Sequence, residues 1–136
     1  MTELDLLPLR TPETKRFWEG VDQEELWLPH CLECARHFFP PSFLCPHCTS
    51  RRVDWTRMSG RATLYSYVIA QRPLPGWKSP GPMSVALVEL LEGPRLISTV
   101  VDCEQSSDDL ALDMPLVATF RPFGPQKMLC FRRGEL

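Results

Sequence analysis

The chain has 136 residues, a net charge of −2 and 43% hydrophobic residues. A chain of this length can bury one substantial core and carry one small accessory module. The charge balance argues against a general attraction to nucleic acid, and the longest apolar runs are too short to cross a membrane. The first ten residues lack the basic start and long apolar run of a secretory signal. We therefore expect a cytoplasmic protein that binds neither nucleic acid nor membrane.

The first predicted element is a short N-terminal helix. Thr11 is the expected N-cap, Pro12 suits the first turn, and an acidic residue follows near the positive end of the helix. Apolar residues then recur at helical spacing, at Phe17, Trp18 and Val21. This pattern predicts about three turns of helix that cover an apolar surface.

Four cysteines form two Cys-x-x-Cys pairs, Cys31 with Cys34 and Cys45 with Cys48. This arrangement lets two short knuckles converge on one tetrahedral metal ion through thiolate sulfurs. Zinc is the expected structural metal, and iron is the alternative because a tetrahedral sulfur site accepts both. Four thiolates complete the shell and leave no position for a catalytic water, which argues against a zinc hydrolase.

Paired cysteines also occur in disulfide frameworks and in redox enzymes. Two disulfides need an oxidising compartment, and a thioredoxin-like pair needs one Cys-x-x-Cys at a helix start in a βαβ unit. Here two pairs lie in a Pro-rich region with no sign of secretion. Both interpretations are therefore less favoured than a metal site. His30, His37 and His47 are interpreted as neighbours of the site rather than ligands.

Downstream of the cysteines the hydrophobic pattern changes to the period of two that is typical of strands. Five strands are predicted, over residues 61–70, 84–90, 96–101, 117–120 and 128–131. A helical turn capped by Ser107 or Asp108 is expected between the third and fourth strands. The predicted fold is therefore mainly β, with an N-terminal helix and four-cysteine zinc ribbon in residues 1–54 and a five-stranded OB-fold barrel in residues 55–136.

Two aromatic-rich segments are candidates for binding a partner. The loop over residues 70–84 contains four prolines and two glycines, and Trp77 lies in its middle. The ribbon carries Phe38 and Phe39 between its knuckles. Aromatic residues of this kind dominate interface hot spots, so we expect Trp77, Phe38 and Phe39 to contact a protein partner. The alternative for Trp77 is that its ring folds back over the end of the barrel.

Beyond the cysteines, several short motifs occur in an order that resembles one known family. These motifs are FWEG at 17–20, FPP at 39–41, CPHC at 45–48, Trp55, SGR at 59–61, SYV at 66–68, VALVEL at 85–90 and Gly93 before LISTVV. In this order the chain resembles the acyl-CoA-associated proteins long classed as domain of unknown function 35, in which a rubredoxin-like zinc ribbon precedes an OB-fold. Ser42 departs from the family pattern, where an arginine commonly follows the double proline, and the Pro-rich loop is unusual.

The resemblance implies a non-catalytic accessory subunit. Proteins that this chain resembles are typically small partners of thiolase-superfamily enzymes. These enzymes include acyltransferases, thiolases and aldolases of lipid and steroid side-chain metabolism. It also implies a hetero-oligomer and acyl-CoA as a ligand of the assembly. The residues agree, since the chain has no nucleophile elbow, no phosphate-binding glycine loop and no open metal site.

Two other classes of function fit part of the sequence. A single-stranded nucleic-acid binder could stack bases on Tyr65 and Tyr67 and hold phosphates with the arginines between residues 51 and 61. The acidic balance and the lack of a basic stripe along the strands argue against it. An electron-transfer protein would carry iron in the four-cysteine site.

Overall fold

The computed structural model describes residues 8–72 and 81–134. One helix and eight strands follow one another in the described ranges: α1 Lys15–Asp22, β1 Trp27–Cys31, β2 Val53–Arg57, β3 Arg61–Ala70, β4 Met83–Leu90, β5 Arg95–Ser98, β6 Val100–Val101, β7 Pro115–Phe123 and β8 Gln126–Arg133. The mainly β class with one N-terminal helix is thus confirmed. Within those ranges, no helix has the length and apolar character that crossing a membrane requires.

The helix begins three residues later than the sequence pattern predicts. Thr11 accepts a hydrogen bond from the Thr14 amide at 3.1 Å, and this turn precedes the helix, whose N-cap is Thr14. Phe17, Trp18 and Val21 are buried as predicted. Gly20 lies inside the helix because β1 passes close to it. A Cβ atom there would stand 2.7 Å from Cδ1 of Trp27, so only glycine fits.

Six strands form the OB-type sheet in the order β5-β4-β3-β7-β8-β6. The strands at the two ends of this order, β5 and β6, are separated in the chain only by Thr99. One continuous segment therefore pairs antiparallel with β4 and then parallel with β8. Together β5 and β6 correspond to the third predicted strand, and the other four predicted strands are β3, β4, β7 and β8.

The break at Thr99 is held by a buried polar network. Ser84 is fully buried on β4, and its hydroxyl accepts a hydrogen bond from the Val100 amide at 2.9 Å. Gln105 accepts from the Ser84 amide and donates to the Val100 carbonyl. Both backbone groups of Val100 at the break are thereby hydrogen-bonded.

Residues 106–114 form hydrogen-bonded turns, and the predicted helical turn is a single turn closed at Ser106 with no longer helix. Ser106 accepts from the amides of Asp109 and Leu110 through its carbonyl oxygen, and its hydroxyl accepts from the Asp108 amide. The capping residue is therefore Ser106 instead of Ser107 or Asp108.

The helix and the barrel share one core. Phe17, Val21 and Leu28 belong to the same buried cluster as Leu64 and Phe131 of the barrel. At the surface, Arg10 links the helix to the start of β8 by contacts of 2.9 Å to Asp22 and 2.7 Å to Gln126. A second, smaller core lies in the ribbon and consists of Cys31, Phe38 and Cys45. The helix and β2 thus connect the ribbon to the barrel. Strand β2 crosses the predicted boundary between the two parts, which falls between residues 54 and 55.

Candidate metal centre

The two cysteine pairs adopt the same backbone conformation. In the first knuckle, the Cys31 carbonyl accepts from the Ala35 amide and the Cys31 amide donates to the Arg36 carbonyl. In the second knuckle, Cys45 makes the corresponding bonds with Thr49 and Ser50, at distances of 2.9 and 3.0 Å. Such a turn points both cysteines of a pair to one side, and so each pair presents two sulfurs to a common centre.

The four sulfur atoms lie close together. Sγ of Cys31 is 3.5 Å from Sγ of Cys48, and Sγ of Cys34 is 3.6 Å from Sγ of Cys45. All four atoms lie within 4.8 Å of one another. A tetrahedral zinc ion with bonds of about 2.3 Å separates its sulfur ligands by about 3.8 Å, so the residues fit the ion. The predicted ligands are therefore brought together, and they define a structural metal-binding ribbon.

In each knuckle a backbone amide points at the sulfur of the first cysteine. The Cys34 amide points at Sγ of Cys31, at 3.5 Å, and lowers the pKa of that thiol to about 6. The His47 amide makes the equivalent contact with Sγ of Cys45, at 3.4 Å. Metals bind the thiolate form, and amide donors that stabilise a thiolate also fix its orientation.

The histidines lie beside this cluster and do not enter it. Nδ1 of His30 is 3.4 Å from a carboxylate oxygen of Asp54, and the rings of His30 and His37 are 4.6 Å apart. Burial lowers the pKa of His37. Among the described residues, only the four cysteines are grouped closely enough to hold a metal ion. A site with four sulfur ligands keeps no open position, and it serves structure rather than hydrolysis.

The proposed aromatic contacts of the ribbon need a correction. Phe38 is only 2% exposed because it forms the ribbon core with Cys31 and Cys45, so its ring cannot contact a partner. Phe39 is half-buried, and its ring centre lies 5.7 Å from that of Phe17. The exposed large apolar residues of the ribbon are Leu32, Phe43 and Leu44, and the last two lie in the loop between the knuckles.

The aromatic residues of the barrel were also singled out from sequence. The Tyr67 hydroxyl donates to the Leu110 carbonyl at 3.0 Å, and its ring packs on the core. The guanidinium of Arg95 lies over the Tyr65 ring, 3.8 Å from its centre. Tyr67 is therefore engaged in the fold, and Arg95 occupies one face of the Tyr65 ring that base stacking would use. Trp77 lies outside the described residues.

The fold and the metal centre together define a zinc-ribbon protein with an OB-fold domain. Family models match both parts. The ChsH2 rubredoxin-like zinc ribbon domain matches residues 18–54, and the ChsH2 C-terminal OB-fold domain matches residues 55–121. The chain belongs to this family, the DUF35 proteins with a ChsH2-type ribbon and OB-fold.

Known relatives include scaffold proteins and subunits of larger enzymes. The chain is 34% identical over 107 residues to a DUF35 domain-containing scaffold protein of Methanothermobacter thermautotrophicus, with 77% of this chain and 80% of that protein covered. It is 32% identical over 132 residues to the 3-oxo-4,17-pregnadiene-20-carboxyl-CoA hydratase alpha subunit of Mycobacterium tuberculosis. That match covers 94% of this chain but 40% of the relative.

A solved structure is similar along nearly the whole chain. It is a chain of the Ltp2-ChsH2(DUF35) aldolase, which is 31% identical in sequence and superposes with a TM-score of 0.81. The similarity covers 93% of this chain and 98% of that chain.

Proposed function

We propose that this protein is a non-catalytic accessory subunit that assembles with a thiolase-superfamily enzyme acting on acyl-CoA thioesters. The observation that carries the proposal is the similarity to almost the full length of the DUF35 chain in an aldolase complex. The scaffold name of the archaeal relative supports an assembly role. The acyl-CoA substrate in the name of the mycobacterial relative supports a place in lipid or steroid side-chain metabolism.

Within this assembly the ribbon has a structural role. The closed sulfur shell holds the two knuckles, and we propose that zinc is the resident metal, because it prefers this ligand set and requires no redox partner. The thiolase-superfamily partner supplies the catalytic residues. Acyl-CoA is the substrate of the assembly in this proposal, and the complex is cytoplasmic, consistent with six cysteines that form no disulfide.

Purification from the native host tests the proposal. The tagged full chain should carry a thiolase-superfamily enzyme in fixed stoichiometry, identified by mass spectrometry. The isolated chain should not turn over acyl-CoA, and its addition should raise the activity or soluble yield of the enzyme. Turnover by the purified single chain, after contamination by the partner is excluded, would contradict the accessory role.

The Pro-rich loop can be tested in the same complex. We expect Trp77→Ala to weaken assembly by about 1–3 kcal/mol, because large aromatic residues are frequent interface hot spots. Metal content should stay the same. Wild-type affinity in this variant would remove Trp77 from the interface.

Oligonucleotide binding distinguishes the OB-fold alternative. A net charge of −2 predicts no salt-sensitive binding, since counterion release needs clustered cations. Arg95 already covers Tyr65, which supports this expectation. Binding of single strands that weakens steeply with salt would favour a nucleic-acid binder.

A further inference from the structure

A groove of about 630 Å³ lies beside the second knuckle. Three segments of the chain form it, namely the start of the helix region, the loop between the knuckles and the segment entering β2. The residues that the argument uses are Glu13, Phe43, Leu44, Arg51, Val53 and Trp55. We call it the ribbon groove.

The ribbon groove is apolar and exposed. Phe43 is 61% exposed and Leu44 is 43% exposed, whereas Phe38 is buried in the ribbon core with Cys31 and Cys45. Val53 and Trp55 lie two residues apart on β2 and therefore share one face of the strand. Each is half-buried, Val53 against the ribbon core and Trp55 against the main core. Contiguous exposed apolar surface of this kind marks an interaction site.

Arg51 adds an available positive charge. Its neighbours are already paired, with Arg52 2.9 Å from Glu33 and Arg57 3.2 Å from Glu25. The side chain of Arg51 is exposed and makes no hydrogen bond or ion pair with any residue in the described ranges, although its carbonyl accepts from the Val53 amide. An arginine beside a tryptophan and a phenylalanine is a frequent composition of interface hot spots. Glu13, the other charged side chain that lines the groove, forms no ion pair with Arg51, so the group that would pair with Arg51 is a carboxylate from another molecule.

We propose that the ribbon groove binds a segment of the partner enzyme, which packs apolar side chains on Phe43 and Trp55 and places a carboxylate against Arg51. This inference rests on the proposed accessory function and names its contact surface. A protein segment fits better than a small acid, because a small ligand in the groove would leave the outer part of Phe43 in water. The attraction between Arg51 and the carboxylate would also orient the segment.

The metal centre holds this groove in shape. Leu44 directly precedes the ligand Cys45, and Val53 packs on the cluster of Cys31, Phe38 and Cys45. Loss of the metal would therefore leave both Leu44 and Val53 without the support that holds them in the groove. The structural metal thus acts on assembly by positioning residues that do not touch it.

Affinity measurements with the co-purified enzyme test the groove. Phe43→Ser and Arg51→Glu should each raise the Kd by at least about tenfold, the scale expected of hot-spot residues. The matched controls are Leu112→Ser, at a site 63% exposed on the barrel, and Arg36→Glu, which makes the same charge change away from the groove. Both controls should stay within about threefold of wild type. Metal content and thermal unfolding confirm that each variant is folded.

The outcomes separate this proposal from the accessory function. If no thiolase-superfamily enzyme binds the wild-type chain, both proposals fail. If the enzyme binds wild type and the two groove variants equally, the ribbon groove is not the contact surface and the accessory function stands. If the groove variants instead abolish self-association of the isolated chain, measured by light scattering, the occupant is a second copy and the proposed occupant is wrong. Arg51→Lys should keep binding closer to wild type than Arg51→Glu does.

Discussion

Ala35 and Thr49 occupy equivalent positions after the second cysteine of each pair, and both have a backbone φ of 63°. This left-handed conformation lets the amide of each residue reach back to the carbonyl of the first cysteine in its knuckle. Residues other than glycine adopt it at a cost of about 1–2 kcal/mol. The hydrogen bonds of the knuckles, and the metal that the knuckles bind, offset this strain.

We therefore expect Ala35→Gly to stabilise the metal-loaded protein by about 0.5–1 kcal/mol, since the relief of strain exceeds the added entropy of the unfolded chain. Thr49→Gly should stabilise the protein by a smaller amount, because it also removes the hydrogen bond from the Thr49 hydroxyl to the Cys48 carbonyl. Denaturant unfolding measures both. Ala62→Gly, in β3, is the control and should destabilise. Destabilisation by Ala35→Gly would show that losing the side chain costs more stability than the relief of backbone strain returns.

Replacement of one ligand should remove the metal. Cys45→Ser takes a buried sulfur from the shell, and we expect metal content to fall from about one equivalent to near zero because ion binding is also folding free energy here. Elemental analysis measures this and also separates zinc from iron. Cys103→Ser, outside the cluster, should leave the content unchanged. A full equivalent retained by Cys45→Ser would contradict the assignment of the ligands.

The hydroxyl of Ser84 should contribute to the stability of the barrel. Ser84→Ala leaves the Val100 amide without its acceptor in a fully buried position, and an unsatisfied buried donor costs about 1–3 kcal/mol. Ser66→Ala, at an exposed position on β3, is the matched control and should change stability little. Equal unfolding free energies for the two variants would show that water replaces the lost hydroxyl.

Cys130 should make stability fall at alkaline pH. Burial raises the pKa of its thiol to about 12 in the folded protein, whereas an unfolded cysteine titrates near 8.5. The folded state therefore holds its proton longer, and stability that is present below pH 8.5 is lost as pH rises toward 12. Between pH 8 and pH 10.5 the wild type should lose about 2.5 kcal/mol more than Cys130→Ala. Parallel pH profiles for the two proteins would contradict this.

Local spacing in the sequence determined a large part of this protein. The two Cys-x-x-Cys turns depend on bonds within five residues, so the ligand set follows from the order of residues alone. The alternation over residues 61–70 predicts β3 with the observed bounds, because the two faces of a strand differ every second residue. The family motifs are local in the same sense, and the family assignment agrees with them.

The tertiary structure decided which apolar side chains remain exposed. Phe38 and Phe43 are both phenylalanines between the knuckles, yet one is 2% and the other 61% exposed, because the loop between the knuckles turns one ring under the metal site and the other outward. The break at Thr99 likewise depends on Ser84 and Gln105, which lie elsewhere in the chain. Contacts between distant residues leave no periodic trace in the sequence, and these contacts place the ribbon groove on the surface of the protein.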